Sequence, residues 1–271
     1  MIRRNFLFSC IICLAGLPCL AQADSAFVFS RHIMGPISDF EVDNLGNIYL
    51  LDPDNRLLKI GPAGDSLAVY NDVRRYGQLT GMDVTNPLKI LLYYREFATI
   101  VMVDRFLNNI NTVDLRKSNI FQAKAIGLAY DNNIWVFDEL EAKLKRIGDD
   151  GSLIDQTTDT RQFAEQVPDP DIIVDQGGLV YLNDLQKGIF VFDHYGAYKQ
   201  LVPVPALADM SVIDKNLWGR NKGLFIRYGL GEAGAQSAPI PAAYLPAIKI
   251  RIKREGVYVL KASGLDIYHR K

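Results

Sequence analysis

Asn47-Ile48-Tyr49-Leu50-Leu51-Asp52 decides the fold, because the run returns along the chain in recognisable copies. Aligned on Ile48, the copies place Ile90 in KILLYY, Ile134 in NIWVFD, Val180 in LVYLND, Leu217 in NLWGRN and Val257 in GVYVLK. Successive anchors lie roughly 40 residues apart, a period at which β-type runs mark propeller blades and helical stripes would mark solenoids. The runs are nearly continuous in apolar residues, as in Ile134-Trp135-Val136-Phe137. Strands covered on both faces read this way, and blades stacked radially are covered by both neighbours. A β-sandwich would instead alternate and show no such repeat.

Working outward from the anchor, Val42, Val84, Leu128 and Val174 stand six residues before it on a preceding strand. Val212 and Ile252 stand five before it in copies five and six. Turns rich in Asp, Asn and Gly separate the two strands: Asp43 to Gly46, Asp131 to Asn133 and Asp175 to Gly178. Those residues supply the left-handed or side-chain-bonded conformations of tight hairpins. A third strand follows at Leu57 to Ile60, Ile100 to Val103, Leu144 to Ile147, Ile189 to Phe192, Leu224 to Tyr228 and Leu265 to Tyr268. Glycine turns at Gly64, Gly151 or Gly196 then lead to a fourth. Four antiparallel strands per repeat make a propeller blade, so the expected fold is all-β, a six-bladed β-propeller of four-stranded antiparallel blades. Copy six supplies only three strands before the chain stops, and Ala26 to Ile33 has no hairpin partner of its own. The N-terminal strand is therefore expected to close the last blade against Leu265 to Arg270, covering an otherwise open edge. Gly229 to Ala247, rich in Ala, Pro and Gly, reads as a long loop between copies five and six.

The pattern of strand, Asp-x-x-Gly turn, Asn-Ile-Tyr-x-x-Asp, apolar strand and Gly turn, best seen at Phe40 to Gly64 and Gly127 to Gly151, resembles the NHL-type propeller repeat. The whole also resembles exported propeller proteins of the Bacteroidetes type. The resemblance implies a binding platform and leaves the ligand unnamed.

Residues 1–23 read as a secretory signal: Arg3 and Arg4, the apolar run Phe6 to Leu17, and Ala21-Gln22-Ala23 as a small-residue cleavage site. A retained span or a lipid anchor on Cys19 are the alternatives, and Pro18 argues against both. The expected product is a single propeller domain over 24–271, exported to the periplasm or cell surface, with no membrane span. Cys10, Cys13 and Cys19 all lie in the segment to be removed, so the mature chain has no disulfide or thiolate metal site. With 30 Lys and Arg against 31 Asp and Glu, the formal net charge is −1, which carries no basic footprint for nucleic acid.

An acid recurs four residues after the anchor, at Asp52, Asp138 and Asp184. Periodic recurrence favours loop capping by backbone N–H groups over a ring of calcium ligands. His32, His194 and His269 show no metal-ligand spacing, although closure of the chain ends would draw His32 and His269 together. No nucleophile elbow or phosphate loop is present, and no Glu, Asn and Asp set matches that of propeller lactonases. No catalytic residue, metal or cofactor is therefore expected. The reading is a non-catalytic binding or scaffold module of the cell envelope, holding a protein or carbohydrate. The alternative is a propeller hydrolase or lyase with a metal-assisted site at the channel mouth.

The candidate binding residues are Arg74, Arg75, Tyr76, Tyr94 and Arg95, flanked by Asp138 and Glu139. Arg and Tyr are the residue types enriched at interface anchors. In a propeller, the loop leading into a blade and the loop between its second and third strands emerge on one face. These residues are thus expected to form one exposed patch there, with Tyr93 turned inward as packing.

Overall fold

Each anchor run forms the second strand of a four-stranded antiparallel sheet, and there are six such sheets. A computed structural model describes residues 27–232 and 234–271. The expected signal at 1–23 and Ala26 lie outside the described residues. Blades one to five use consecutive strands, from Asp39–Val42 through Gln236–Pro239. Blade six takes three strands from the end of the described chain, Lys249–Ile252, Gly256–Lys261 and Gly264–Arg270, and its outermost strand, Phe27–Met34, from the other end. The closing pair is antiparallel, running from Phe27 opposite Arg270 to Met34 opposite Gly264, with a register shift between Phe29 and Arg31.

The first strand of each blade lines the axis. These inner strands, Asp39–Val42, Gly81–Asn86, Ala123–Leu128, Ile172–Gln176, Ala208–Ile213 and Lys249–Ile252, touch their neighbours in sequence, and the last touches the first. That contact ring is the closed propeller. The face on which the inner strands begin is called upper here, and the other lower.

The anchor register follows the sequence alignment in four blades: Val42 faces Ile48, Leu128 faces Ile134, Val212 faces Leu217 and Ile252 faces Val257. In blade four the two-residue turn Gly177-Gly178, with φ of 65° and 82°, moves the pairing by one, so that Val174 faces Tyr181. In blade two a register shift between Asp83 and Asn86 takes Val84 out of the ladder.

The apolar core is divided among the blade interfaces. Leu91, Tyr93, Ile100 and Met102 pack on Leu128, Ile134 and Val136 of the next blade. The alternate residues Ile90, Leu92 and Tyr94 pack the other way, on Tyr49, Leu51 and Leu57. Because both sets are buried, the strand Lys89–Tyr94 carries five apolar side chains in a row. Each sheet is thus a shared wall between two cores.

One expectation is corrected. The stretch 229–247 is not one long loop: Gln236–Pro239 is the outer strand of blade five, paired with Leu224–Arg227. All four of its residues are exposed. An outermost strand needs no apolar alternation and tolerates Pro at its end, so its composition resembled a loop.

Candidate functional site: the central channel and its upper rim

The inner strands enclose a cavity of about 560 Å³ along the axis. Alternation sends every second inner-strand residue into it. From blades one and six come Asp39, Glu41, Lys249, Arg251 and, just past the strand, Lys253. From blades three to five come Ile126, Ile172, Val174, Ser211 and Ile213. Asp83 from blade two, Lys124 from blade three, and Asp171 and Gln176 from blade four also line it, so charge is densest on blades one and six without being confined to them.

The wall formed by blades one and six is a network. Lys249 Nζ donates to Asp39 Oδ1 at 2.6 Å and to Glu41 Oε1 at 2.9 Å, and Arg251 Nε donates to Glu41 Oε2 at 2.8 Å. Burial alone would raise the Glu41 pKa, but the charges and hydrogen bonds of Arg251 and Lys249 outweigh it and hold the carboxyl far below its usual range. Arg220 pairs with Asp209 and also reaches the carbonyls of Ala247 and Ile248, tying blade five to blade six. The sequence signal for this wall was available: Asp39-Phe40-Glu41 and Lys249-Ile250-Arg251-Ile252-Lys253 alternate charge with apolar residues, the period of a strand with one wet and one packed face.

The upper rim carries part of the expected patch. Arg74 and Arg75 are exposed on a single-turn helix at Val73–Tyr76, and Arg95 and Glu139 are exposed at the ends of anchor strands. Arg95 reaches over blade three, donating to the Lys124 carbonyl at 2.7 Å, and Lys124 pairs with Asp169 at 2.7 Å. Exposure of the other three residues is corrected. Tyr76 and Tyr94 are buried, with ring centroids 5.3 Å apart, in the core between blades one and two. Asp138 is buried and pairs with Lys145 at 2.7 Å, and its Oδ1 accepts the Leu140 N–H at 3.1 Å. Tyr94, Asp138 and Asp184 stand at one position of the repeat, each 1% exposed, so that position closes the blade in each of the three. Asp184 Oδ1 likewise accepts the N–H groups of Gln186 and Lys187, and Asp52 Oδ1 that of Arg56. These contacts are the loop capping expected of the repeating aspartates.

Tyr93 does turn inward: it is buried and donates to the Ala123 carbonyl at 2.7 Å. Burial, partly offset by Arg95, pushes its hydroxyl up to about 12. Sequence reading missed the apolar component of the rim. Phe97, Phe121, Leu140, Leu185, Leu245 and Ile248 are each exposed by 40% or more, all on upper-face loops.

His32 joins Asp266 at 2.6 Å, and Lys261 takes the other oxygen of that carboxylate at 2.7 Å. Among the described residues no three His, Cys, Asp or Glu side chains gather as a metal site. No helix among them is long and apolar enough to cross a membrane.

With this geometry in view, the chain is similar in structure to other propellers. A virginiamycin B lyase from Staphylococcus aureus matches with a TM-score of 0.64 at 12% identity, covering 90% of this chain and 99% of that one. A streptogramin B lyase matches at 0.60 and 14% identity, over 86% and 78%. The WD40 domain of Neurospora crassa Pan2 matches at 0.60 and 12%, over 84% and 73%. The likeness is one of fold. No protein-family model and no curated relative matches the chain. The neighbours include enzymes and a WD40 domain alike, and identities this low carry no residue roles.

Proposed function

We propose that this protein is a non-catalytic binding module of the cell envelope that holds a protein partner on its upper rim. The observation that carries the reading is the exposed apolar set Phe97, Phe121, Leu140 and Leu185 beside Arg74, Arg75, Arg95 and Glu139, on loops of blades two to four. Apolar side chains ringed by mixed charges mark protein-interaction surfaces more than sugar-stacking ones. The loops are pinned together, since the Glu139 N–H donates to the Gln122 carbonyl at 2.9 Å and the Arg95 N–H to Thr80 Oγ1 at 3.1 Å. A rim held this way loses little freedom on binding. The resemblance of the repeat to NHL-type propellers supports a binding platform and leaves the ligand open. The expected signal at 1–23 supports an envelope location, in the periplasm or at the cell surface.

The test is capture from envelope fractions with 24–271 as bait, comparing Phe121→Ala with Arg95→Ala against the lower-face pair Leu88→Ala with Tyr195→Ala. The reading expects the first pair to lose the captured protein and the second to retain it. Equal loss by both pairs, or elution by soluble glycan in place of protein, would defeat it. Intact mass should place the mature start at Asp24 or Gln22; a mass that retains Met1 would refute export by cleavage.

A further inference from the structure

A second cavity, of about 230 Å³, opens on the lower face between blades one and six, away from the rim. Blade six lines it with Arg31, Tyr258, Ile267 and His269 and with Lys253 and Glu255 of a hairpin turn, and blade one with Asp43 to Gly46, Ile48 and Pro62. Two cations, Arg31 and Lys253, and two carboxylates, Asp43 and Glu255, share this small space, yet among the described residues no ion pair joins any of them. Local structure keeps them apart. Asp43 is engaged within its own turn: Oδ1 accepts the N–H groups of Leu45 and Asn47, each at 2.9 Å, and Oδ2 accepts Asn47 Nδ2 at 2.7 Å and the Tyr49 hydroxyl at 3.1 Å. The Arg31 guanidinium is held against the turn from Gly61 to Gly64, where Nη2 reaches the Gly61 carbonyl at 3.4 Å and a Cβ on Gly64 would fall 2.5 Å from Nη1. Its Nε is buried without a hydrogen-bond partner. The hydroxyl of buried Tyr258 and the carboxylate of exposed Glu255 also have none among the described residues. Polar groups at a cavity are rarely left unmatched on both signs at once, so the set marks a place where a ligand belongs.

We propose that this cavity binds a small zwitterion of the α-amino-acid type, its carboxylate on Arg31 and the Tyr258 hydroxyl, its ammonium on Glu255 and its side chain against Leu45, Ile48, Pro62 and Ile267. Charge decides the class. Arg31 and Lys253 balance Asp43 and Glu255, so an occupant without net charge keeps the site neutral, and one that carries both signs satisfies groups that cannot reach each other. A guanidinium that no carboxylate of the protein answers is suited to take one from a ligand through two donors. Size sets the limit: the volume lies below the roughly 300–1,000 Å³ of drug-sized sites, so the occupant is a single amino acid and not a peptide. The four apolar residues favour an aliphatic side chain over a polar one. Tyr258 lies among these charges: burial raises its pKa, Glu255 and Asp43 add to the rise and Arg31 opposes it, so the phenol stays a neutral donor for a bound carboxylate. Arg31, Tyr258 and His269 line this cavity and not the channel, which Lys253 and Glu255 border as well.

Calorimetric titration of 24–271 with L-valine, and with 3-methylbutanoate and 2-methylpropylammonium, which each lack one of its charges, tests this. L-valine should bind one to one, about tenfold or more tightly than either fragment. Glu255→Gln, on an exposed turn, should weaken L-valine by about tenfold and leave 3-methylbutanoate within about threefold. Arg31→Met should weaken both ligands, with Tyr258→Phe, which removes one hydroxyl, as the second variant should the first fail to fold. Phe121→Ala should leave L-valine binding unchanged, so failure of this site and failure of the rim reading are told apart. The proposal is overturned by no L-valine binding, by equal affinity for L-valine and either fragment, by unchanged L-valine affinity in Glu255→Gln, or by unchanged affinity in folded Arg31→Met or, in its place, Tyr258→Phe.

Discussion

Replacing Gly264 with alanine attacks the ring at its seam, and the structure sets the size of the effect. Gly264 has φ +138°, outside the range that L side chains readily adopt, and it pairs with Met34 at the end of the closing strand. A Cβ there would fall well inside van der Waals contact of the Ile33 carbonyl oxygen and 3.1 Å from His32 Nε2. The backbone term costs about 1–3 kcal/mol, and forcing the neighbouring strand aside about 1–3 kcal/mol more. A total near 4 kcal/mol corresponds to a drop in Tm of roughly 10 °C at about 2–4 °C per kcal/mol. Gly177→Ala is the control: φ is +65° but nothing stands within 4 Å of the new Cβ. It carries the conformational term alone, about 1–2 kcal/mol. Thermal unfolding of both variants, with hydrogen exchange read over Phe27–Met34, separates the contributions. If Gly264→Ala costs no more than Gly177→Ala, and the strand Phe27–Met34 keeps its protection, the seam does not contribute to stability as argued.

The remaining expectations concern single side chains. Tyr94→Ala removes a side chain buried between blades and should cost about 3–5 kcal/mol in urea unfolding, whereas exposed Arg75→Ala should stay within about 0.5 kcal/mol. Asp138→Ala takes away the buried partner of Lys145, leaving it only the part-exposed Glu141 at 3.2 Å, and should cost about 1–3 kcal/mol; an unchanged unfolding midpoint in Asp138→Ala would contradict that assignment. Glu41 is held below its ordinary value of 4.5, so its stabilisation is complete above that pH and is lost as pH falls toward the lower folded value. Wild-type stability should therefore decline in acid more steeply than that of Glu41→Gln, and parallel acid limbs for the two proteins would refute the role of the network.

The blade count, the six anchors and the closing strand were legible because burial on both faces leaves a continuous apolar run and a fixed period. Leu91 and Leu92 serve different cores, yet in sequence they read as one strand. The outer strand Gln236–Pro239 left no such trace, since exposure on all four residues removes the constraint on composition. At the candidate site, residue type proved a poor guide to exposure. Tyr94 resembles an interface anchor by chemistry, but it fills the blade position that Asp138 and Asp184 fill elsewhere, and its place in the repeat decides its burial. The channel wall was missed for the opposite reason: its pairs, such as Arg251 with Glu41, are 210 residues apart, and only the closed ring brings them together.

Phe27 and Arg270 lie opposite each other on the seam, and strand direction puts both at the lower edge of blade six. The shared location gives the molecule a built-in handle. A tag, dye or surface linker attached beyond either residue emerges on the side away from Arg95 and Phe121, so an immobilised disc presents its rim outward whichever end is tethered. The same proximity would let a short peptide bridge join the two ends, with new termini cut into any exposed loop, turning the ring into a set of permuted chains that begin at different blades.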